Sequence, residues 1–142
     1  MEIYDAENQI LGRFCSVVAK RLIEGENVIV VNAEKAVISG SRKYNIEHYH
    51  ERLVRGDPHK GPFFPRAPDG IVRRAFRGML PQKKAKGRDA YKKLKVYVGI
   101  PEELKDRTEE FKRIKSADAD RLKSKSMAIG DLSIALGTEK RW

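Results

Sequence analysis

Cysteine is nearly absent from this chain: Cys15 is the only one among 142 residues. That excludes an intramolecular disulfide and any zinc site built on several cysteines, and it reads as a reducing, cytoplasmic setting. Long apolar runs are missing as well. Nothing approaches the ~20 consecutive apolar residues of a membrane helix, so no membrane partner is expected. The opening residues, Met-Glu-Ile-Tyr-Asp, have neither the basic region nor the apolar core of a signal peptide. Glycine-rich phosphate loops are lacking too. No Gly-x-Gly-x-x-Gly follows either N-terminal candidate strand, and no Gly-x-x-x-x-Gly-Lys-Ser/Thr occurs. No internal repeat or low-complexity linker divides the chain. Its length suits one domain, residues 1–142, with one hydrophobic core.

The most informative shortage is of carboxylates, and it is local. Between Gly70 and Arg88 there is no Asp or Glu. The formal net charge is +10, unevenly spread. Residues 42–95 hold 16 Lys/Arg against 5 Asp/Glu, a net +11, whereas the rest of the chain holds 14 against 15, a net −1. A surface built for solubility alone interleaves the signs. One-sign charge concentrated in a single region is the footprint of a polyanionic partner.

What is present reads as an α/β fold. Glu2 to Ala6 is a candidate strand, and Leu11, Phe14, Cys15, Val18, Ala19 and Leu22 then recur at helical spacing, with Gly25 placed to end the helix. The run NVIVVNA, residues 27–33, is continuously apolar rather than alternating, which suits a strand buried on both faces of a parallel sheet. Strand, helix and strand in about 30 residues make one βαβ unit. KAVISG, residues 35–40, is a second short apolar run. A polar helix is expected from Ser41 to Leu53, with Tyr44, Ile46, Tyr49 and Leu53 as its apolar members. Residues 54–69 hold four prolines and two glycines and read as a long ordered loop. LKVYVG, residues 94–99, is a further strand; residues 101–125 read as helix and loop; residues 126–137 read as a short strand turning into a short helix capped by Gly137.

The carboxylate-free segment reads as an amphipathic helix. Asp69 can cap it, and Val72, Ala75, Phe76, Met79 and Leu80 form one apolar stripe. Arg73, Arg74 and Arg77 fall on the other side, and Pro81 stops the helix. Arg73 and Arg77 are a like-charge i, i+4 pair, unfavourable by ~0.2–0.5 kcal/mol in isolation. An anion would relieve that pair, and the arginine fork suits phosphate oxygens. Lys83, Lys84, Lys86 and Arg88 continue the charge on what reads as a turn containing Gly87. Ala90, Tyr91 and Leu94 return to core spacing, leaving Lys92 and Lys93 outside. Most charge runs are merely solvated faces, but those usually carry acids as well. Nucleic-acid binding is the reading that the charge supports, without deciding between DNA and RNA.

Residues 77–101, RGMLPQKKAKGRDAYKKLKVYVGIP, resemble the signature of the ribosomal protein L13 family of the large subunit. The resemblance extends over nearly the whole chain: LGRFCSVVAKRLIEGENVIVVNAEKAVISG, residues 11–40, is similar to the family's N-terminal βαβ unit. GPFFPRAPDGIVRRAFRGMLP, residues 61–81, resembles the archaeal and eukaryotic cytosolic branch. Where bacterial members have a His-Pro-His tail, this chain reads GIPEELKDR, and residues 106–126 match only loosely. The resemblance implies a single three-layer α/β/α domain around a mostly parallel sheet of about four strands, with a basic helical and loop extension. It implies a non-enzymatic, monomeric component of the cytoplasmic large ribosomal subunit. The implied partners are large-subunit rRNA and neighbouring ribosomal proteins, and the implied role is structural and in assembly. Arg73, Arg74, Arg77, Lys83, Lys84 and Arg88 become rRNA contacts, with Gly78 and Gly87 allowing close backbone approach, and Lys86, Lys92 and Lys93 beside them are further candidate rRNA contacts. A regulatory or processing RNA-binding protein acting off the ribosome is the alternative.

Other features of the chain have plainer explanations. The βαβ unit invites a nucleotide enzyme, and SGSRK, residues 39–43, could hold one phosphate; a plain helix start explains it as well. His48 and His50 diverge on a helix, so no metal is expected, and no cofactor or small-molecule substrate is implied. Glu47 and Glu51 read as ion-pair partners of Arg52 or Arg55 rather than a catalytic pair. Phe63 and Phe64, between prolines, could stack on unpaired bases, but at least one should anchor the loop. Lys60 and Arg66 flank them as candidate phosphate contacts. Cys15 reads as a buried small hydrophobe, and Trp142 has no assigned role.

Overall fold

Strands β1 (Glu2–Asp5) and β2 (Val28–Val31) lie parallel, with Ile3 opposite Ile29 and Tyr4 opposite Val30. Helix α1 (Leu11–Glu24) joins them and ends at Gly25, whose φ of 106° is the left-handed conformation that glycine adopts without strain. This is the βαβ unit expected from residues 2–33. The computed structural model describes all 142 residues. β3 (Val37–Ser39) leaves the sheet, and α2 (Arg42–Val54), α3 (Pro68–Met79) and α4 (Ala85–Lys92) follow. β4 (Leu94–Val96) pairs with β2, and β5 (Phe111–Lys112) pairs with β1, both parallel. The sheet order is thus β4-β2-β1-β5. β6 (Ser126–Ala128) pairs antiparallel with β3 in a separate ribbon and leads into α5 (Ile129–Ala135).

The sheet is covered on both faces, giving three layers. Tyr4, Val28 and Val30 point to one face, into the main core with Phe14, Val18 and Leu22 of α1 and Val72 and Phe76 of α3. Phe14 is fully buried, edge-on to Tyr4 and to Phe76 with ring centroids 6.2 Å away in each case. Burying one such ring stabilises by ~1.5–3 kcal/mol. Ile3, Ile29 and Val31 point to the other face, where Leu104 of the 3-10 helical segment Glu102–Glu110 covers them. Continuous apolarity in NVIVV is explained: all four residues of β2 are buried, alternately against one layer and the other.

Five expectations need correction. Asp69 does not cap α3. The helix begins at Pro68, whose fixed φ and missing N–H suit the first helical position. Met79 is not core but 41% exposed. It lies in the last turn, and Leu80, already extended at φ −95° and ψ 143°, is buried there instead. Tyr44 is not an apolar anchor of α2 but 62% exposed. Residues 85–92 are a helix, α4, rather than a turn around Gly87. Residues 101–125 contain a strand, β5, and it completes the sheet. Trp142, left without a role, packs back beside Gly130, where an added Cβ would stand 3.2 Å from its Nε1.

Candidate nucleic-acid interface

Helices α3 and α4 pack on the sheet through Ile71, Val72, Phe76 and Ala90 and leave their other sides to solvent. Arg77, Lys83, Lys84, Lys86 and Arg88 are all exposed there. None of them, nor Arg73 or Arg74, forms an ion pair with any carboxylate of the chain. The absence of acids seen between Gly70 and Arg88 is therefore not made good by acids folding back from elsewhere. Seven cations on two neighbouring helices and their connecting loop stay uncompensated.

Two of the arginines are held in place by aromatic rings. Arg73 lies over Tyr91 of α4, its guanidinium carbon 4.8 Å from the ring centroid, and its Nε donates to the Tyr91 hydroxyl at 3.1 Å. Arg74, half-buried, lies over Phe64 at 5.7 Å. Such contacts are worth ~0.5–1 kcal/mol at exposed sites. They fix where each guanidinium points without neutralising it. Phe64 is gripped from its other neighbours too, with Arg52 at 5.6 Å and Tyr49 edge-on at 5.7 Å. Phe64 is thus the loop anchor, and Phe63, 67% exposed, is not. Tyr49 is largely enclosed, and burial pushes its phenol above the ordinary range.

The remaining expected contacts divide. Lys60 is exposed on the loop between α2 and α3, and Arg66 near its end is exposed while its carbonyl accepts from Ser133 Oγ of α5 at 2.5 Å. Lys92 approaches Asp89 at 3.9 Å. Lys93 is spoken for: its Nζ donates at 2.9 Å to the carbonyl of Gly25, where the negative end of the α1 dipole favours a cation. The two glycines separate as well. Gly87 is buried, and a Cβ there would collide with the Pro81 backbone, so its smallness serves the protein's own packing. Gly78 is exposed, and a Cβ there would meet nothing within 4 Å.

Sequence reasoning missed Arg52, which it gave to Glu47 or Glu51. Glu47 approaches Lys43 instead, at 3.9 Å. The available signal was the spacing of Arg52, three residues beyond Tyr49 on one helix face. Ser41, in the SGSRK stretch, accepts from the Tyr44 amide at 3.3 Å, so that stretch is a capped helix start. At the carboxyl ends of β1 and β2, where open parallel sheets hold ligands, the chain's own side chains meet. Asn32 Nδ2 donates to Asp5 Oδ1 at 2.8 Å, and Gln9 Nε2 donates to Asp118 Oδ1 at 2.5 Å.

The chain as a whole matches known proteins. A family model described as Ribosomal protein L13 matches residues 1–103. The chain is 50% identical over 143 aligned residues to the large ribosomal subunit protein uL13 of Methanosarcina barkeri, covering 98% of this chain and 99% of that one. It is 46% identical to the uL13 of Methanopyrus kandleri, over 95% of this chain and 86% of that one. It is 41% identical to that of Haloarcula marismortui, over 99% and 93% respectively.

Proposed function

Because this chain belongs to the ribosomal protein L13 family, on its archaeal side, we infer that it is a structural constituent of the cytoplasmic large ribosomal subunit that binds rRNA through the cationic face of α3 and α4. The family is one of structural, non-enzymatic proteins. One observation carries the finer reading: the seven cations from Arg73 to Arg88 have no carboxylate partner within the fold. Two helices and the short loop between them hold these charges, and phosphates supply the missing anions. Arg77, Lys83, Lys84, Lys86 and Arg88 reach out free, while Arg73 and Arg74 are pre-aimed by Tyr91 and Phe64. Lys60, Arg66 and Lys92 extend the face, and Lys93 supports it from beneath by closing α1. Gly78 lets a sugar–phosphate backbone approach α3 closely. The whole chain acts as one domain that bridges rRNA segments and holds them during assembly beside neighbouring ribosomal proteins, reading shape and phosphates more than bases.

The test is binding to large-subunit rRNA transcripts across a salt series. A variant with Arg77, Lys83 and Lys84 changed to Ala removes three exposed, unpaired cations and leaves the packing intact. Each lost phosphate contact should reduce the log–log salt slope by ~0.7–0.9, so the variant's slope should fall by roughly 2–3. An unchanged slope in the folded variant would mean that this face is only solvated.

A further inference from the structure

The cationic face leaves one feature of α2 unused, an aromatic ladder that ends in solvent. Tyr44 stacks flat on His48, with ring centroids 5.8 Å apart and planes at 10°. His48 meets Tyr49 edge-on at 5.7 Å, and Tyr49 meets Phe64 at 5.7 Å. Tyr49 and Phe64 pack against the main core, so the ladder is fastened at that end. At the other end Tyr44 is 62% exposed, and no ring but His48 stacks on it. An aromatic residue in the first turn of a helix is a modest helix former, and so exposed a ring buries little apolar area. Folding does not explain it.

Charge selects what completes the ladder. Arg42 and Lys43 immediately precede Tyr44, and Arg52 lies over Tyr49 at 5.4 Å further along the same ladder. Between Arg42 and Arg55 there are four basic residues against two acids, and one of those acids, Glu47, already approaches Lys43. A flat apolar partner arriving on a negatively charged chain is a nucleobase. The geometry points to Tyr44 as a stacking platform for one unpaired base of RNA, with His48 behind it holding the ring in place. This rests on the RNA-binding reading above and adds to it a contact of different physics on a different helix.

Transcripts tiling an archaeal large-subunit rRNA, titrated with four proteins, separate the two readings. Tyr44→Ala should bind about 5- to 150-fold more weakly than wild type, equivalent to ~1–3 kcal/mol for one stacked base, with the salt slope unchanged. Tyr44→Phe should bind like wild type. The Arg77, Lys83 and Lys84 variant should change the slope instead. Absence of wild-type binding sinks the RNA reading and the platform with it. Wild-type affinity in a folded Tyr44→Ala sinks the platform alone. An equal loss in Tyr44→Phe would assign the contact to the hydroxyl and overturn stacking. So would a photo-crosslinker at position 44 that, in assembled large subunits, labels a protein rather than rRNA.

Discussion

A methyl group added at Gly87 would run into the Pro81 backbone, while one added at Gly78 would meet nothing within 4 Å. Replacement by alanine should therefore split the two positions. Gly87→Ala should cost ~1–3 kcal/mol, because a backbone neighbour cannot yield as a flexible side chain would. Gly78→Ala should leave the free protein as stable or up to ~1 kcal/mol more so, since alanine is the better helix former. Urea denaturation of the two variants checks both signs. If a sugar–phosphate backbone lies against α3, Gly78→Ala should nonetheless weaken RNA binding, a loss that stability does not explain. Cys15 offers a second residue-scale test. It is fully buried, and burial pushes its thiol well above the ordinary range. A thiol reagent should label the native protein no faster than the protein opens.

Among the elements, β5 is tied to β1 by an ion pair as well as by its parallel pairing. Glu2 of β1 accepts from Lys112 Nζ of β5 at 2.6 Å and from the Tyr4 hydroxyl at 2.8 Å. The Lys112 bond holds the Glu2 carboxyl below its ordinary value of 4.5, and burial together with the Glu2 bond pushes Tyr4 up to about 12. A carboxyl lowered in the folded state stabilises above its unfolded pKa and loses that contribution as pH falls through the folded one. Glu2→Gln should therefore cost roughly 0.5–1 kcal/mol at neutral pH, a figure discounted because Lys112 is half-exposed. The difference from wild type should vanish in acid, as denaturation at a series of pH values will show. The same strand shows what was legible in advance. The unit β1–α1–β2 could be read because its stripe and its β-branched run extend over many residues, and α3 for the same reason. β5 is two residues, Phe111 and Lys112, too few for any period to register. α4 was obscured by Gly87, which signals a turn in sequence but is dictated here by contact with Pro81. The cations could be listed from the sequence, but their division into free, ring-held and internally bonded groups could not. It depends on partners such as Tyr91, 18 residues from Arg73, and Gly25, 68 residues from Lys93.

For the molecule as a whole, charge is sorted by layer. The excess lies on α2, α3, α4 and their loops, while the segment Glu102–Glu110 across the sheet holds five acids against two bases. The molecule should therefore present one side to a polyanion. Heparin should stabilise the protein by binding the folded face, by ~2.7 kcal/mol at a hundredfold excess over its dissociation constant, and so raise the melting temperature. Each kcal/mol is worth roughly 2–8 °C. Added salt should remove the shift, and the Arg77, Lys83 and Lys84 variant should show a smaller one in differential scanning calorimetry. The pairings of β1 with β5 and of β3 with β6 also set a clock. Synthesis runs from the N-terminus, so α2, α3 and α4 are complete while the strands that finish both sheets are still unmade. From Lys95 to Ala128 the ribosome has 33 residues left to add, roughly 2–7 seconds of synthesis. For that interval a nascent copy displays its charge without its scaffold, and whichever RNA it meets first meets an unfinished surface.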